Sequence, residues 1–338
     1  MSLTPLETEP AATLSAVDVA PDSEVVARSP LQLALRRLLS DRIALTAVIV
    51  ILLMAVMAIL APVIQGITGH DALANNLING TDVNGQPLPP GSNGYLLGTD
   101  NVGRDILVRI AYGARISLSV GVLSTALATV VGVVFGLLAG YYGGWIDALL
   151  ARIMDVVLSF PYVLFAIALV SVYGASVFLT ILVIAFFSWA AIGRIVRGQA
   201  LSQREKEYVE AAHSLGAGDL RIMFIDILPN LIAPVIVLST LLIPVAIVFE
   251  SSLSYLGVGV KPPTPSWGNM LADAQASGYQ NWWFWIFPML FLLITTLAFN
   301  LLGDAVRDAL DPRTERIFAG RRKKAKTAKS SPAEAAPA

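Results

Sequence analysis

The sequence predicts an all-α membrane protein with six transmembrane helices and both chain ends on the cytoplasmic side, N-in/C-in. Only 14% of the 338 residues are charged and 56% are apolar. The mean hydropathy is +0.70. The charged fraction is well below that of a soluble chain, in which about a quarter of the residues are charged. Six segments are apolar and long enough to cross a bilayer, and most Lys and Arg residues fall on one side of them.

A transmembrane helix needs about 20 apolar residues to cross roughly 30 Å of hydrocarbon. A tight turn at Tyr173-Gly174-Ala175 separates the third span from the fourth, as a helical hairpin requires. The six predicted spans are 43–64, 116–140, 156–173, 175–193, 231–250 and 284–303.

The positive charges predict the orientation, because cytoplasmic loops of membrane proteins carry an excess of Lys and Arg. With the N-terminus inside, 19 of the 23 Lys and Arg residues fall on the inner side. The four on the outer side are Arg104, Arg109, Arg115 and Lys261.

The chain therefore divides into five parts. Its two ends are predicted to be solvated cytoplasmic segments, because both are polar and the last is strongly basic. The parts are a disordered extension (1–40), the first span (41–64), an extracytoplasmic loop ending in an interfacial helix (65–115), a core of five spans (116–304) and a tail (305–338).

The second outer segment, 251–283, is rich in Pro, Gly and Trp. Tryptophan is enriched where a membrane protein meets the bilayer interface. The segment therefore predicts an aromatic belt, with stacking on a substrate as the alternative. The tryptophans concerned are Trp267, Trp282, Trp283 and Trp285.

The longest inner loop, 194–230, is charged and helix-prone, although a few residues suffice to join two helices. Gly216 is placed to end a first short helix. Asp219 is placed to cap a second helix, which Pro229 would stop. The sequence thus predicts two short helices that project from the membrane.

Three residues of the first loop helix are suited to contact a partner. Ala211 and Ala212 allow another backbone to approach closely, and Glu210 can accept a hydrogen bond from an Arg or Lys. A solvated helical loop without a partner is the alternative interpretation.

Four further positions are singled out within or beside the spans. Gly132, Gly136 and Gly140 form a small-residue ladder that predicts close helix packing. Glu250 lies at the edge of an apolar span, where a carboxylate is costly and faces protein, water or a partner charge. It is predicted either to make a structural contact near an outer gate or to contact substrate directly.

Several function classes find no support in the sequence. The chain has no cysteine and only two histidines, His70 and His213, both interpreted as lone loop residues rather than metal ligands. It lacks the G-x-x-x-x-G-K-[ST] phosphate loop and any Ser/His/Asp or carboxylate–histidine catalytic arrangement. The net charge of −1 gives no indication of nucleic-acid binding.

The inner loop combines Glu210-Ala211-Ala212, then Gly216 after three intervening residues, and ILPN at 227–230. This pattern resembles the "EAA" coupling loop of type I ABC importer permeases. Three more segments are similar to the second, C-type permease of the peptide and nickel branch. They are LGTDNVGRD at 97–105, ESSLSYLGVGVKPPTPSWG at 250–268 and NLLGDAVRDALDPR at 300–313.

The resemblance implies a type I ABC importer permease fold and a non-catalytic subunit. It implies a homologous partner permease, one or two cytoplasmic ATPases that bind ATP with Mg²⁺, and an extracytoplasmic substrate-binding protein. Glu210, Ala211, Ala212 and Gly216 would couple the chain to the ATPase, and Glu250 would belong to the outer gate or pathway. Di- or oligopeptides are the implied cargo, with nickel or another small solute as the alternative.

Two rival classes remain open from the residues alone. An ion-coupled secondary transporter typically has ionisable residues at mid-membrane and inverted repeats, and neither is visible here. A membrane scaffold or receptor would also have packing glycines and a docking loop, but would transport nothing.

Overall fold

The computed structural model describes residue 35, residues 37–277 and residues 281–310. The regular secondary structure of these residues is helical, and among them only isolated β-bridges occur, with no strand. The predicted extension and tail fall mainly outside this range. The helices are α1 (Arg42–Ile59), α2 (Ala61–Thr68), α3 (Ile106–Tyr142), α4 (Gly144–Ser159), α5 (Tyr162–Tyr173), α6 (Val177–Arg204), α7 (Glu207–Ser214), α8 (Asp219–Tyr255), α9 (Trp267–Ala276) and α10 (Trp282–Leu310).

Five described helices are long and apolar enough to cross a membrane, namely α1, α3, α6, α8 and α10. The predicted span 156–173 is wrong as a continuous helix, because α4 and α5 meet at 81°. Phe160 between them is extended, at φ −80° and ψ 133°, since the ring of Pro161 disfavours helical backbone in the preceding residue. Counting the bent pair as one crossing gives six candidate spans.

Helix α3 is the longest uninterrupted element beside α8, and at 37 residues it is about 55 Å long. Asp105 caps its start by accepting hydrogen bonds from the N–H groups of Leu107 and Val108, at 2.8 and 3.4 Å. The separate interfacial helix predicted at 105–115 is wrong. Those residues form the first turns of α3 and are mostly buried, because no proline interrupts the helix where the span was expected to begin.

The glycine ladder of α3 packs against α6, as predicted. A Cβ atom at Gly136 would lie 2.5 Å from the carbonyl oxygen of Gly193, and one at Gly140 would lie 2.5 Å from the Cβ of Ala200. At Gly132 it would lie 2.7 Å from an α6 backbone oxygen. Only glycine permits this approach, which fixes α3 and α6 together along the membrane-spanning part.

Two loop segments fold together beside the start of α3, and we call residues 69–105 with 256–277 the cap. The ion pair between Arg104 and Asp273, at 3.2 Å, joins one segment to the other. Within the first segment, the Thr99 hydroxyl donates to the Gly80 carbonyl at 2.6 Å and accepts from the Leu88 N–H at 2.7 Å. The cap is therefore a hydrogen-bonded unit and not an open loop.

The predicted aromatic belt is wrong for two of its tryptophans. Trp267 is fully buried, and its indole N–H donates to the Ile110 carbonyl at 3.3 Å. Trp283 is buried beneath the cap and donates to the Thr99 carbonyl, also at 3.3 Å. Trp282, by contrast, is half exposed. The aromatic side chains here mainly form the core under the cap.

Candidate coupling site and buried carboxylate

The loop helix α7 ends as its sequence predicts. Gly216 has φ +78° and lies just beyond the last turn. Its N–H donates to the His213 carbonyl at 2.9 Å, and the next N–H, of Ala217, donates to the Ala212 carbonyl at 3.0 Å. This pair of bonds is a Schellman motif, which needs a left-handed residue at that position.

One face of α7 is buried against the membrane helices. Val209 is fully enclosed and Ala212 is half-buried, whereas Glu210 and Ala211 are exposed. The sequence predicts Glu210, Ala211 and Ala212 as one contact surface, but Ala212 lies on the buried side of α7 and the other two lie on the exposed side. The side chains below Val209 belong to a π-helical turn of α8 and are Ile222, Met223 and Ile227.

The other face of α7 is open to a partner. Within the described residues, the Glu210 carboxylate has no hydrogen bond or ion pair. Leu215 is 89% exposed and Leu220 is 67% exposed, in a segment that is otherwise polar. We call Glu210, Ala211, Leu215 and Leu220 the loop surface. These side chains leave this side of the loop uncovered by the part of the chain that the structure describes.

The second predicted loop helix is wrong in its extent. It does not stop at Pro229, because α8 continues from Asp219 to Tyr255. The π turn before the proline accommodates it: the Leu228 N–H bonds the carbonyl of Met223, five residues back. Such a register shift is a common way to accept a residue that lacks an N–H.

Asp219 does not cap α8, contrary to prediction. Gly218 occupies the cap position, and the Asp219 carboxylate accepts a hydrogen bond from the Tyr141 hydroxyl at 2.9 Å. His213 Nε2 lies 3.3 Å from the same hydroxyl, so His213 is exposed but not solitary. The Arg204 guanidinium also donates to the Tyr141 carbonyl at 2.9 Å.

Tyr141 thus connects the end of α3 with α7, α8 and the end of α6, and sequence analysis missed it. The available signal was weak. It consisted of two tyrosines directly after the last glycine of the ladder, at the end of an apolar span.

Glu250 lies inside a cage of serine hydroxyls and is fully buried. Ser117 of α3 and Ser254 of α8 donate to its carboxylate at 2.7 and 2.8 Å, and Ser251 lies at 3.3 Å. Ser266, which caps α9, is a further hydrogen-bonding neighbour. The carboxylate therefore joins three helices. Of its two predicted roles, the geometry favours the structural contact.

His70 is not the lone loop residue that was predicted. Its Nδ1 lies 2.7 Å from the Asp105 carboxylate, and its ring stacks on Tyr95 with the ring centres 4.0 Å apart. Asn76 donates to the Tyr95 hydroxyl at 3.0 Å. Burial, together with the nearby negative charge of Asp105, raises the pKa of Tyr95. The group ties the cap to the first turn of α3.

A second charged group holds the cap from the other side. Arg109 is almost fully buried and lies 3.5 Å from Asp100 and 3.4 Å from Asp273. Arg104 pairs with the same two carboxylates, at 2.6 and 3.2 Å. Burial raises the pKa of Asp273, and the two arginines oppose that rise. Arg104 and Arg109 are thus structural ion-pair partners.

The fold is similar to that of a chain from the MetNI methionine ABC transporter, solved in inward-facing conformations. The TM-score is 0.51 over 60% of this chain and 96% of that chain, at 15% sequence identity. At that identity the likeness concerns the fold alone. The chain is therefore a multi-spanning membrane protein with the fold of an ABC importer permease.

Relatives extend the likeness to most of the chain. The dipeptide permease DppC of Alkalihalophilus pseudofirmus is 38% identical, over 87% of this chain and 93% of the relative. The glutathione permease GsiD of Pectobacterium atrosepticum is 39% identical, over 89% and 97%. The oligopeptide permease OppC of Haemophilus influenzae is 38% identical, over 86% and 91%.

Family models match both halves of the chain. Residues 29–82 match the N-terminal TM domain of oligopeptide transport permease C, and residues 132–316 match the binding-protein-dependent transport system inner membrane component. The chain belongs to this family of inner-membrane transport components. The resemblance drawn from its sequence motifs is confirmed.

Proposed function

We propose that this chain is the membrane-spanning permease subunit of an ATP-driven peptide importer. It forms the translocation pathway with a homologous permease, and an extracytoplasmic binding protein delivers the cargo. One or two separate ATPases bind and hydrolyse ATP with Mg²⁺. The chain itself performs no catalysis.

Peptides are the cargo that the relatives favour. The three relatives described above are named for transport of dipeptides, glutathione and oligopeptides. Glutathione is itself a tripeptide, so all three names point to one chemical class. None of these three names points to nickel, the alternative cargo.

The distribution of positive charge supports the orientation N-in/C-in. The cap and α7 lie at opposite ends of α3, because His70 contacts its first turn and His213 contacts Tyr141 in its last. Five Lys and Arg residues lie between 194 and 221, which favours α7 on the cytoplasmic side. The cap then faces the binding protein.

The observation that supports the coupling role is that α7 has one buried face and one exposed face. One face is buried on the π turn of α8 through Val209, and the other presents Glu210 and Ala211 without a partner in the described residues. A force applied by an ATPase to the exposed face therefore reaches α8 directly. It reaches α3 through the hydrogen bond between Tyr141 and Asp219.

The mechanism that follows is alternating access. ATP closes the ATPases, their closure displaces α7, and the helices change between outward-facing and inward-facing arrangements. ATP can drive this change only if it binds one arrangement better than the other. The buried contacts of Val209 and the Tyr141 hydroxyl are the parts of this chain that transmit the difference.

Purification of the tagged chain in mild detergent, with mass spectrometry of co-purifying proteins, tests the assembly. We expect a second permease and one or two ATPases. Glu210→Lys and Gly216→Pro should lose the ATPases but keep the second permease. Glu210→Gln, which removes the charge without reversing it, serves as the matched control and should lose less.

Uptake of peptides into proteoliposomes that contain the complete assembly tests the cargo. Import that requires ATP and persists with a protonophore supports the proposal. A chain that purifies without any ATPase, under conditions that preserve other membrane complexes, would contradict it. Retention of the ATPases by both Glu210→Lys and Gly216→Pro would contradict the assignment of the loop surface.

A further inference from the structure

We propose that a pocket beside Arg115 binds a carboxylate on the outer side of the permease. The inference rests on the proposed orientation and transport function. The pocket has a volume of about 270 Å³ and lies between the cap, α2 and the first turns of α3. It is lined by Gln65, Asp71, Ala72, Leu73, Tyr112, Arg115, Ile116, Thr264 and Pro265.

Arg115 differs from the other arginines of this region. Arg104 and Arg109 are both paired with Asp100 and Asp273, and both are largely enclosed. Arg115 is exposed and makes no hydrogen bond or ion pair with any residue that the structure describes. Its guanidinium is therefore available to a ligand, and a guanidinium binds a carboxylate through two parallel hydrogen bonds.

The acidic residue of the pocket does not occupy this guanidinium. Asp71 Oδ1 accepts hydrogen bonds from the N–H groups of Leu73 and Ala74, at 2.6 and 3.1 Å, and so closes a turn of the cap. Gln65, Tyr112 and Thr264 provide neutral polar groups around the same space. The pocket thus holds one cation without a partner among the described residues, three neutral polar side chains and one carboxylate that is already hydrogen-bonded to the backbone. The cation and the neutral groups are suited to an anionic oxygen ligand.

The walls of the pocket are held by hydrogen bonds to neighbouring elements. The Ala72 carbonyl accepts from the buried Arg109 at 3.3 Å, and the Thr264 carbonyl accepts from Asn269 at 2.6 Å. Ser117, two residues after Arg115, donates to Glu250. These bonds fix the loops around Arg115 before a ligand arrives, and a preformed site binds better than one that must be ordered.

The size of the pocket limits what can enter. Pockets that enclose a whole drug-sized ligand usually measure about 300–1,000 Å³, so this one admits one end of a molecule. Two carboxylates would be presented at this face. One is the C-terminal carboxylate of a cargo peptide, and the other is an Asp or Glu side chain of the docked binding protein.

The test uses the complete transporter in proteoliposomes, with its binding protein. Arg115→Gln removes the cation, Arg115→Lys keeps a charge without the two-fold hydrogen-bonding geometry, and Lys261→Gln removes an exposed cap cation outside the pocket. The probes are a mixture of di- and tripeptides and the same peptides as C-terminal amides. Import is measured by mass spectrometry of the vesicle contents, and docking of the cargo-free binding protein is measured separately.

We expect Arg115→Gln to lower import of the free-acid peptides by about tenfold or more, with a smaller loss in Arg115→Lys and none in Lys261→Gln. Unchanged docking and a lost preference for free acids over amides would identify the cargo as the carrier of the carboxylate. Docking that is weakened to the same extent as import would identify the binding protein as the carrier of the carboxylate. Import and docking by Arg115→Gln equal to those of Lys261→Gln would overturn the proposal. Failure of the unmutated transporter to import any peptide would instead refute the proposed function.

Discussion

Gly216 gives a direct test of the coupling site, because its backbone conformation alone requires glycine. Its φ is +78°, and a Cβ atom would meet no other atom within 4 Å. A serine at this position therefore has room but is forced into the left-handed region. That conformation costs about 1–2 kcal/mol for an L-residue.

Gly218 provides a matched control in the same loop. A Cβ atom there would also meet nothing within 4 Å, but its backbone is extended, at φ −73° and ψ 153°. Serine is favourable at this position because Gly218 caps the start of α8. Gly218→Ser thus adds the same side chain as Gly216→Ser without the backbone penalty.

We expect Gly216→Ser to weaken ATPase binding by about 5- to 30-fold, the equivalent of 1–2 kcal/mol. Relaxation of φ at residue 216 breaks the two hydrogen bonds that close α7, and the loop surface loses its shape. Gly218→Ser should stay within about twofold of the unmutated chain. The measurement is a titration of nanodisc-embedded permease with purified ATPase, and the unfolding temperature of each variant shows that the membrane part is intact.

Two outcomes would refute this reasoning. An affinity of Gly216→Ser equal to that of the unmutated chain would mean that the ATPase does not require the closed end of α7. A loss in Gly218→Ser as large as that in Gly216→Ser would mean that the side chain itself, and not the backbone, causes the effect.

Three further predictions concern the helices. Tyr141→Phe removes the hydrogen bond to Asp219, worth about 1 kcal/mol. The ATPase should stay bound, but the stimulation of ATP hydrolysis by loaded binding protein should fall. Full stimulation would exclude Tyr141 from coupling. Gly136→Ala should lower the unfolding temperature, because the added Cβ would lie 2.5 Å from a backbone oxygen of α6. Gly198→Ala should not lower it, because a Cβ at Gly198 would meet no atom within 4 Å. Equal unfolding temperatures of the two variants would contradict the packing argument. Glu250→Ala leaves serine hydroxyls without an acceptor, at about 1–3 kcal/mol each, and should destabilise the protein far more than Glu250→Gln, as judged by thermal unfolding in detergent. A stable Glu250→Ala variant would contradict the structural role.

The sequence was a sufficient guide to most of the membrane-crossing helices. Lipid cannot satisfy backbone hydrogen bonds, so a long apolar segment has to be helical. Two of the errors arose where a proline decides the local path. Pro161 bends the chain sharply after α4, whereas Pro229 is accommodated by a π turn and does not interrupt α8. The same residue type has opposite consequences, and hydropathy does not distinguish them.

The structure of the proposed coupling site was predictable where it depends on local rules and unpredictable where it depends on tertiary contacts. Gly216 was identified because helix ends favour a left-handed glycine. The Tyr141–Asp219 bond joins residues 78 positions apart, and the Ser117–Glu250 bond joins residues 133 apart. No sequence pattern brings such pairs together, because their proximity results from how α3 packs against α8.

Helix α3 connects the proposed coupling site with the cap. Tyr141 in its last turn is bonded to Asp219 beside the loop helix, and Ser117 near its start is bonded to the buried Glu250. Between these points α3 and α6 are in close contact at the glycines of α3. A close-packed interface transmits displacement instead of absorbing it. We therefore expect a movement of α7 that reaches Tyr141 to displace the α3–α6 pair as a unit. Because α3 begins inside the cap, we expect the cap to move with it.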